Sequence, residues 1–258
     1  MSTLKQKAHF LRSYSKHFLR RKGPDSIHSP FVFKFYYEVL KERSIVNEEL
    51  ESLRKSFLTN DDIIDIQDFK SGNLIPQRVS KAAKGSLTPP WFSLFLQRLA
   101  LYLDCRHLLE TGTNLGINAQ YLALTQGIEK VTSIEGNKAL IELARKNFLQ
   151  ELESKVNLIY GMLKEQLPKA LQSENPDFIF LDADHTYEAT LYCLDEIGKM
   201  EQTPKCIVIH DIYWSPGMTK LWQEVIENPA YILTIDLFWA GLIFPERPMP
   251  KQHFTLGF

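Results

Sequence analysis

Near the middle of the chain, the run His107-Leu-Leu-Glu-Thr-Gly-Thr-Asn-Leu-Gly116 passes from apolar residues through an acid into two glycines spaced G-x-x-x-G. Such a run reads as a strand ending at Glu110, a tight turn at Gly112 and the first turn of a helix at Gly116. That is how an open α/β sheet builds a ligand site at its carboxyl edge. The spacing also narrows the ligand. A pyrophosphate loop of the G-x-G-x-x-G kind needs glycine where Asn114 stands, because the backbone there must approach the phosphates closely. Asn114 and the missing third glycine argue against a dinucleotide, and with it against a nucleotide-dependent oxidoreductase.

The surrounding pattern agrees with such a sheet. After Pro89-Pro90 a helix is expected over 91–103, followed by strands at 106–110, 130–135, 156–160, 178–182 and 206–210. Helices at 138–152, 162–172, 187–199 and 217–226 fall between or after them. Regular βαβα alternation implies a parallel sheet covered on both faces, with right-handed crossovers. The last apolar runs, 231–238, 241–244 and 253–258, have no helix between them and should pair as an antiparallel hairpin. The fold class expected is therefore α/β: a doubly wound, Rossmann-like, mostly parallel sheet over 90–258 with a C-terminal antiparallel hairpin, preceded by an N-terminal helical extension over 1–89. Within the extension, 30–40 and 48–57 read as helices, and the acid-rich stretch 59–72 as a solvated loop or weak helix.

Composition constrains the class of partner. A net charge of −1 and an isoelectric point near 6.7 leave no overall footprint for a polyanion, so nucleic acid is not expected as a partner. Cys105, Cys193 and Cys206 lack both disulfide-framework and metal-ligand spacing and read as buried thiols. No apolar run reaches membrane-spanning length and the N-terminus lacks a signal-peptide core, so the expectation is a cytoplasmic protein without integral membrane association. The first 22 residues stand apart. They carry Lys5, Lys7, Arg12, Lys16, Arg20, Arg21 and Lys22 with no acid, while Phe10, Leu11, Tyr14, Phe18 and Leu19 recur at helical spacing. The expectation is a helix packed on the main domain or on a second subunit as a homodimer; an anionic membrane or RNA is the functional alternative.

Three further features carry chemistry. Glu135 closes the second strand about 20 residues beyond the glycine loop, where an acid in nucleoside-binding sheets accepts hydrogen bonds from ribose hydroxyls, and Gly136 follows it. The fourth strand ends in Asp182-Ala-Asp184-His185-Thr-Tyr187, and the fifth in His210-Asp211-Ile212, with Pro216-Gly217 beyond. These polar clusters leave the carboxyl ends of apolar strands, where ligands bind in such sheets, although Asp184 or Thr186 also suits a cap for the following helix. Glu110 adds a negative charge that repels pyrophosphate but is compatible with an ammonium and a sulfonium.

In this ordered combination the chain resembles class I S-adenosylmethionine-dependent methyltransferases, and within them the bacterial O-methyltransferases related to catechol O-methyltransferase. The resemblance covers about the last two thirds of the sequence. It implies that Glu110, Gly112, Thr113, Asn114 and Gly116 surround the methionine part of S-adenosylmethionine, that Glu135 with Gly136 holds the ribose, and that Gly161 and Met162 lie beside the adenine. Where the family often has a polar or acidic residue, this chain has Met162. The resemblance places Asp182 near the transferred methyl and the acceptor, a small molecule methylated on an oxygen or nitrogen. In the metal-dependent branch Asp182, Asp211 and a following asparagine bind magnesium; here Ile212 supplies no oxygen, so magnesium is admitted through waters but not favoured. Asp182, His185 and Asp211 are the candidate catalytic residues, with His185 ahead of His210 as general base. The competing reading is a non-catalytic cofactor-binding or interaction module that uses the basic N-terminus to contact a membrane or partner.

Overall fold

The computed structural model of the chain describes residues 3–69 and 71–257. In chain order the elements begin with α1 (Thr3–Arg20), α2 (Pro30–Phe35, continued by a π-helical turn Tyr36–Leu40) and α3 (Glu48–Thr59). Two strands follow, β1 (Ile63–Gln67) and β2 (Leu74–Arg78), then α4 (Val79–Ser86) and α5 (Pro90–Tyr102). The alternation runs β3 (His107–Thr111), α6 (Ile117–Ala123), β4 (Lys130–Glu135), α7 (Lys138–Lys146), β5 (Val156–Tyr160), α8 (Leu163–Glu174). It continues β6 (Phe178–Leu181), α9 (Tyr187–Ile197), β7 (Cys206–His210), α10 (Pro216–Glu227), and ends with β8 (Leu233–Asp236), β9 (Ala240–Phe244) and β10 (Gln252–Thr255). The fold is α/β, Rossmann-like and mostly parallel, with the expected helices at the N-terminal end. The three cysteines are buried and form no disulfide, and among the described residues no helix is long and apolar enough to cross a membrane.

The chain divides into two compact units, Arg43–Glu174 and Met1–Glu42 with Asn175–Phe258. In the first unit β3, β4 and β5 are parallel neighbours, with Glu110 opposite Ser133 and Glu135 opposite Tyr160. Every residue of α6 is buried, including Asn118, which donates to Glu110, and Gln120, whose Oε1 accepts from the Leu149 amide. The stretch 59–72 corrects the sequence expectation. Part of it forms β1, which pairs antiparallel with β2, and Ile64 and Ile66 pack on a core of Leu50, Phe57, Val79, Ile117, Tyr121 and Leu140. Burial of alternate isoleucines outweighs the acids between and around them. Helix α7 also stops at Lys146, short of the expected 152, and the chain beyond it lays the Phe148 ring against Gly116.

In the second unit the strand order is β10-β8-β9-β7-β6. Strands β6 and β7 are parallel, whereas β9 is antiparallel to both β7 and β8. The expected hairpin is β8–β9, but β10 departs from it by joining β8 in parallel. The connection 245–251 carries Pro245, Pro248 and Pro250, too long and stiff for a tight hairpin, so the chain returns to run alongside β8. Helix α1 packs on this unit: the Phe10 ring meets Phe238 and Trp239 at 5.1 and 5.6 Å, and His17 Nε2 lies 3.3 Å from Asp236 Oδ1. Just beyond α1, the Lys22 amide donates to the Thr255 carbonyl.

Candidate active site

In the first unit the loop after β3 is fixed from below and from the side. Glu110, only 1% exposed, accepts from Asn118 Nδ2 at 2.7 Å and from Ser133 Oγ at 2.5 Å, and Ser133 Oγ also pairs with Thr113 Oγ1 at 2.6 Å. The Gly112 amide donates to the Ile134 carbonyl, and the Gly116 amide closes a turn onto Thr113. Gly116 has φ +76°, and a Cβ there would stand 2.9 Å from the Phe148 ring, so both conformation and space demand glycine. Asn114 takes φ +53°, tolerable for asparagine, and donates its amide to Glu135 Oε2 at 2.8 Å. Its own Oδ1 is buried with no hydrogen-bond partner.

Glu135 ties two loops together. Its Oε1 accepts from the Asn137 amide at 2.8 Å while Asn137 caps α7, and the Glu135 carbonyl accepts from the Gly161 amide. Burial pushes its carboxyl pKa upward, opposed by the amides of Asn114, Asn137 and Gly136. Three amides on two oxygens leave the carboxylate with remaining acceptor capacity for one ligand hydroxyl. A Cβ on Gly136 would stand 3.0 Å from the Phe69 ring and 3.8 Å from the Gly161 carbonyl, so Phe69, Gly136 and Gly161 meet at one place with half-exposed Met162 next in chain. Phe69 escaped the sequence reading because it lies in the acid-rich stretch; the alternating isoleucines ahead of it were the available signal.

In the second unit the segments after β6 and β7 carry three non-glycine residues at positive φ, Asp184 (+64°), His185 (+42°) and Asp211 (+55°). Such conformations each cost of order 1–3 kcal/mol and persist where the surroundings over-determine them. The His185 amide donates to the Ala183 carbonyl, Thr186 caps α9, and the Asp211 amide donates to the Trp239 carbonyl at 2.7 Å. Asp182 is the centre of the cluster: its Oδ1 lies 2.7 Å from His210 Nδ1 and 3.7 Å from His185 Nε2, and Asp211 Oδ2 is 3.8 Å from His210 Nδ1. Burial disfavours the charged imidazole of His210, but the charge and hydrogen bond of Asp182, with Asp211 behind them, push its pKa to about 9. His210 therefore holds a proton at neutral pH and is no base there. A further residue, missed in the sequence, steadies this region: Asp236, 3% exposed, accepts from Tyr213 Oη at 2.5 Å, from Trp222 Nε1 and from the Phe238 amide.

Of the positions the resemblance names for magnesium, Asp182 and Asp211 carry carboxylates, whereas Ile212 is fully buried and offers no oxygen. Among the described residues Asp182, His185 and His210 have ligand atoms within 4.8 Å of one another, a nitrogen-rich set of the kind softer transition ions take.

Residues 109–212 match the model of a family described as a methyltransferase domain. Among solved structures the chain resembles an O-methyltransferase from Bacillus cereus solved with SAH, at TM-score 0.54 and 18% identity over 83% of this chain and 97% of that one. It also resembles an SAH-bound methyltransferase of Podospora anserina (TM-score 0.60, 15% identity, 86% and 97% covered). A third is an O-methyltransferase of Streptomyces achromogenes involved in tomaymycin synthesis, solved with SAM (TM-score 0.56, 14% identity, 84% and 96% covered). A comparison with curated proteins finds no significant match. At these identities the likeness is one of fold.

Proposed function

We propose that the chain is an S-adenosylmethionine-dependent methyltransferase that transfers a methyl group to a small-molecule acceptor, with oxygen as the atom methylated. The observation that carries this reading is the span of the methyltransferase-domain match, which takes in the glycine loop, Glu135 and both polar clusters at the ends of β6 and β7. Supporting it, the loop after β3 offers an unpartnered buried acceptor, Asn114 Oδ1, suited to an ammonium donor. Glu135 keeps acceptor capacity for a ribose hydroxyl, and Gly136, Gly161, Met162 and Phe69 offer a surface for the adenine. Glu110, with both oxygens already bonded to Asn118 and Ser133, acts by fixing the loop that carries Gly112, Thr113 and Asn114.

When bound, the cofactor supplies a methyl carbon on a sulfonium, open to in-line displacement. Of the chain's own groups, His185 takes the proton that the acceptor hydroxyl loses, Asp182 orients its imidazole, and Asp211 positions the acceptor. The protonated His210 offsets the charge of the two aspartates. Positioning supplies much of the acceleration and a general base typically about 10²–10⁴ more. Residues 90–258 form the catalytic domain in this proposal, with 1–89 as an N-terminal extension of helices and the β1–β2 hairpin, in a reducing cytoplasm where the buried thiols form no disulfide.

Calorimetry with S-adenosylhomocysteine tests the cofactor. The wild type should bind, and Glu135→Ala should lose roughly 1.5–3 kcal/mol, the range for a charged hydrogen bond; no binding by the wild type overturns the proposal. Turnover over a panel of hydroxylated acceptors separates it from a non-catalytic module. His185→Gln should lower the transfer rate by about 10²–10⁴ with little change in cofactor affinity, and activity should survive chelation. Full activity of both His185→Gln and Asp211→Asn would remove the assigned chemistry from this cluster.

A further inference from the structure

Helix α1 has two apolar faces. The inward one, with Phe10, Ser13 and His17, is spent on its own unit, against Phe238, Trp239 and Asp236. The other faces solvent: Leu11 is 64% exposed, Phe18 48% and Leu19 83%, at i, i+7 and i+8 and hence along one stripe. Tyr14, also half-exposed, stands at its margin. Lys5, Lys7, Arg12, Lys16 and Arg20 are exposed on the same helix, exposed Arg21 and Lys22 follow its end, and no acid comes before Asp25. A chain of net charge −1 that places seven positive charges in its first 22 residues leaves net −8 for the remainder, so the charge is sharply polarised toward this helix.

From this pairing of an outward apolar stripe with flanking cations, we infer that α1 docks peripherally on an anionic lipid bilayer, the stripe entering the headgroup boundary and the lysines and arginines meeting lipid phosphates. A helix with a strongly basic polar face and exposed leucine and phenylalanine suits that interface. A second copy of the chain fits poorly, because pairing this face with itself brings two sets of seven cations together with no acid to offset them. A polynucleotide would satisfy the cations but leave Leu11 and Leu19 in water. The inference does not depend on the methyltransferase reading.

Co-sedimentation with vesicles of phosphatidylcholine, alone or mixed with phosphatidylglycerol, tests it. Binding to the mixed vesicles only is expected, weakening as salt rises. Arg12→Gln and Lys16→Gln should each weaken it about fivefold. The double variant Leu11→Asp with Leu19→Asp should lose at least tenfold while keeping the wild-type melting curve, since both side chains are mostly exposed. The inference is overturned by three results: no binding of the wild type to the mixed vesicles, equal binding by the double variant, or a dimer in sedimentation equilibrium that the double variant abolishes.

Discussion

His210 and His185 both lie within 4 Å of the same carboxylate oxygen, and His210 is the closer of the two. His210 Nδ1, at 2.7 Å from Asp182 and with Asp211 beyond it, is held charged up to a pKa of about 9, above its unfolded value near 6.5. A raised folded pKa contributes stability that is fully present below the unfolded value and is lost as pH rises through the folded one. Urea unfolding followed from pH 6 to 10 should therefore show wild-type stability falling by on the order of 2–3 kcal/mol relative to His210→Asn, mostly between about pH 6.5 and 9. A constant difference between the two proteins across that window would contradict the assigned charge. The sequence announced both histidines by their place after apolar strands, but not the charge on His210, because it rests on distances of a few ångströms between residues 28 positions apart.

At the scale of elements, α1 is the clearest case of a segment whose role needs both sequence and packing. Its charge pattern and period are legible in the chain, but which apolar residues turn inward is decided by the aromatic group of Phe238, Trp239 and Tyr213 that it covers. Deleting residues 1–22 would bare that group and remove the His17–Asp236 contact beneath it. The deletion should lower the melting temperature and leave S-adenosylhomocysteine affinity within about threefold of wild type, because no residue of α1 belongs to the proposed cofactor loops. An unchanged melting temperature would show the inward face to be dispensable. The hairpin β1–β2 is the opposite case: its acids suggested solvent, and only the core beneath Ile64 and Ile66 makes it a pair of strands and brings Phe69 over Gly136.

For the whole molecule, ligand binding and global stability should be linked, because the proposed cofactor residues come from the ends of three separate strands, β3, β4 and β5. S-adenosylhomocysteine at about 100 times its dissociation constant adds roughly 2.7 kcal/mol, which for a chain of this size is a rise of about 5–10 °C in melting temperature. NADH at the same concentration should leave the melt unmoved; a comparable rise with NADH would favour a dinucleotide site despite Asn114. What the sequence by itself determined is the α/β alternation, the turn at Gly112 and Gly116, and the acid closing β4. These are local matters of hydrophobic period, of glycine's freedom at positive φ, and of fixed spacing along one βαβ unit. Only the tertiary structure decided that Glu110 serves the loop through Asn118 and Ser133, that Asp236 gathers Tyr213, Trp222 and the Phe238 amide, that β10 runs parallel to β8, and that His210 is a cation. Hydrogen bonds and charge interactions act over a few ångströms, and which groups come that close depends on how separated segments pack.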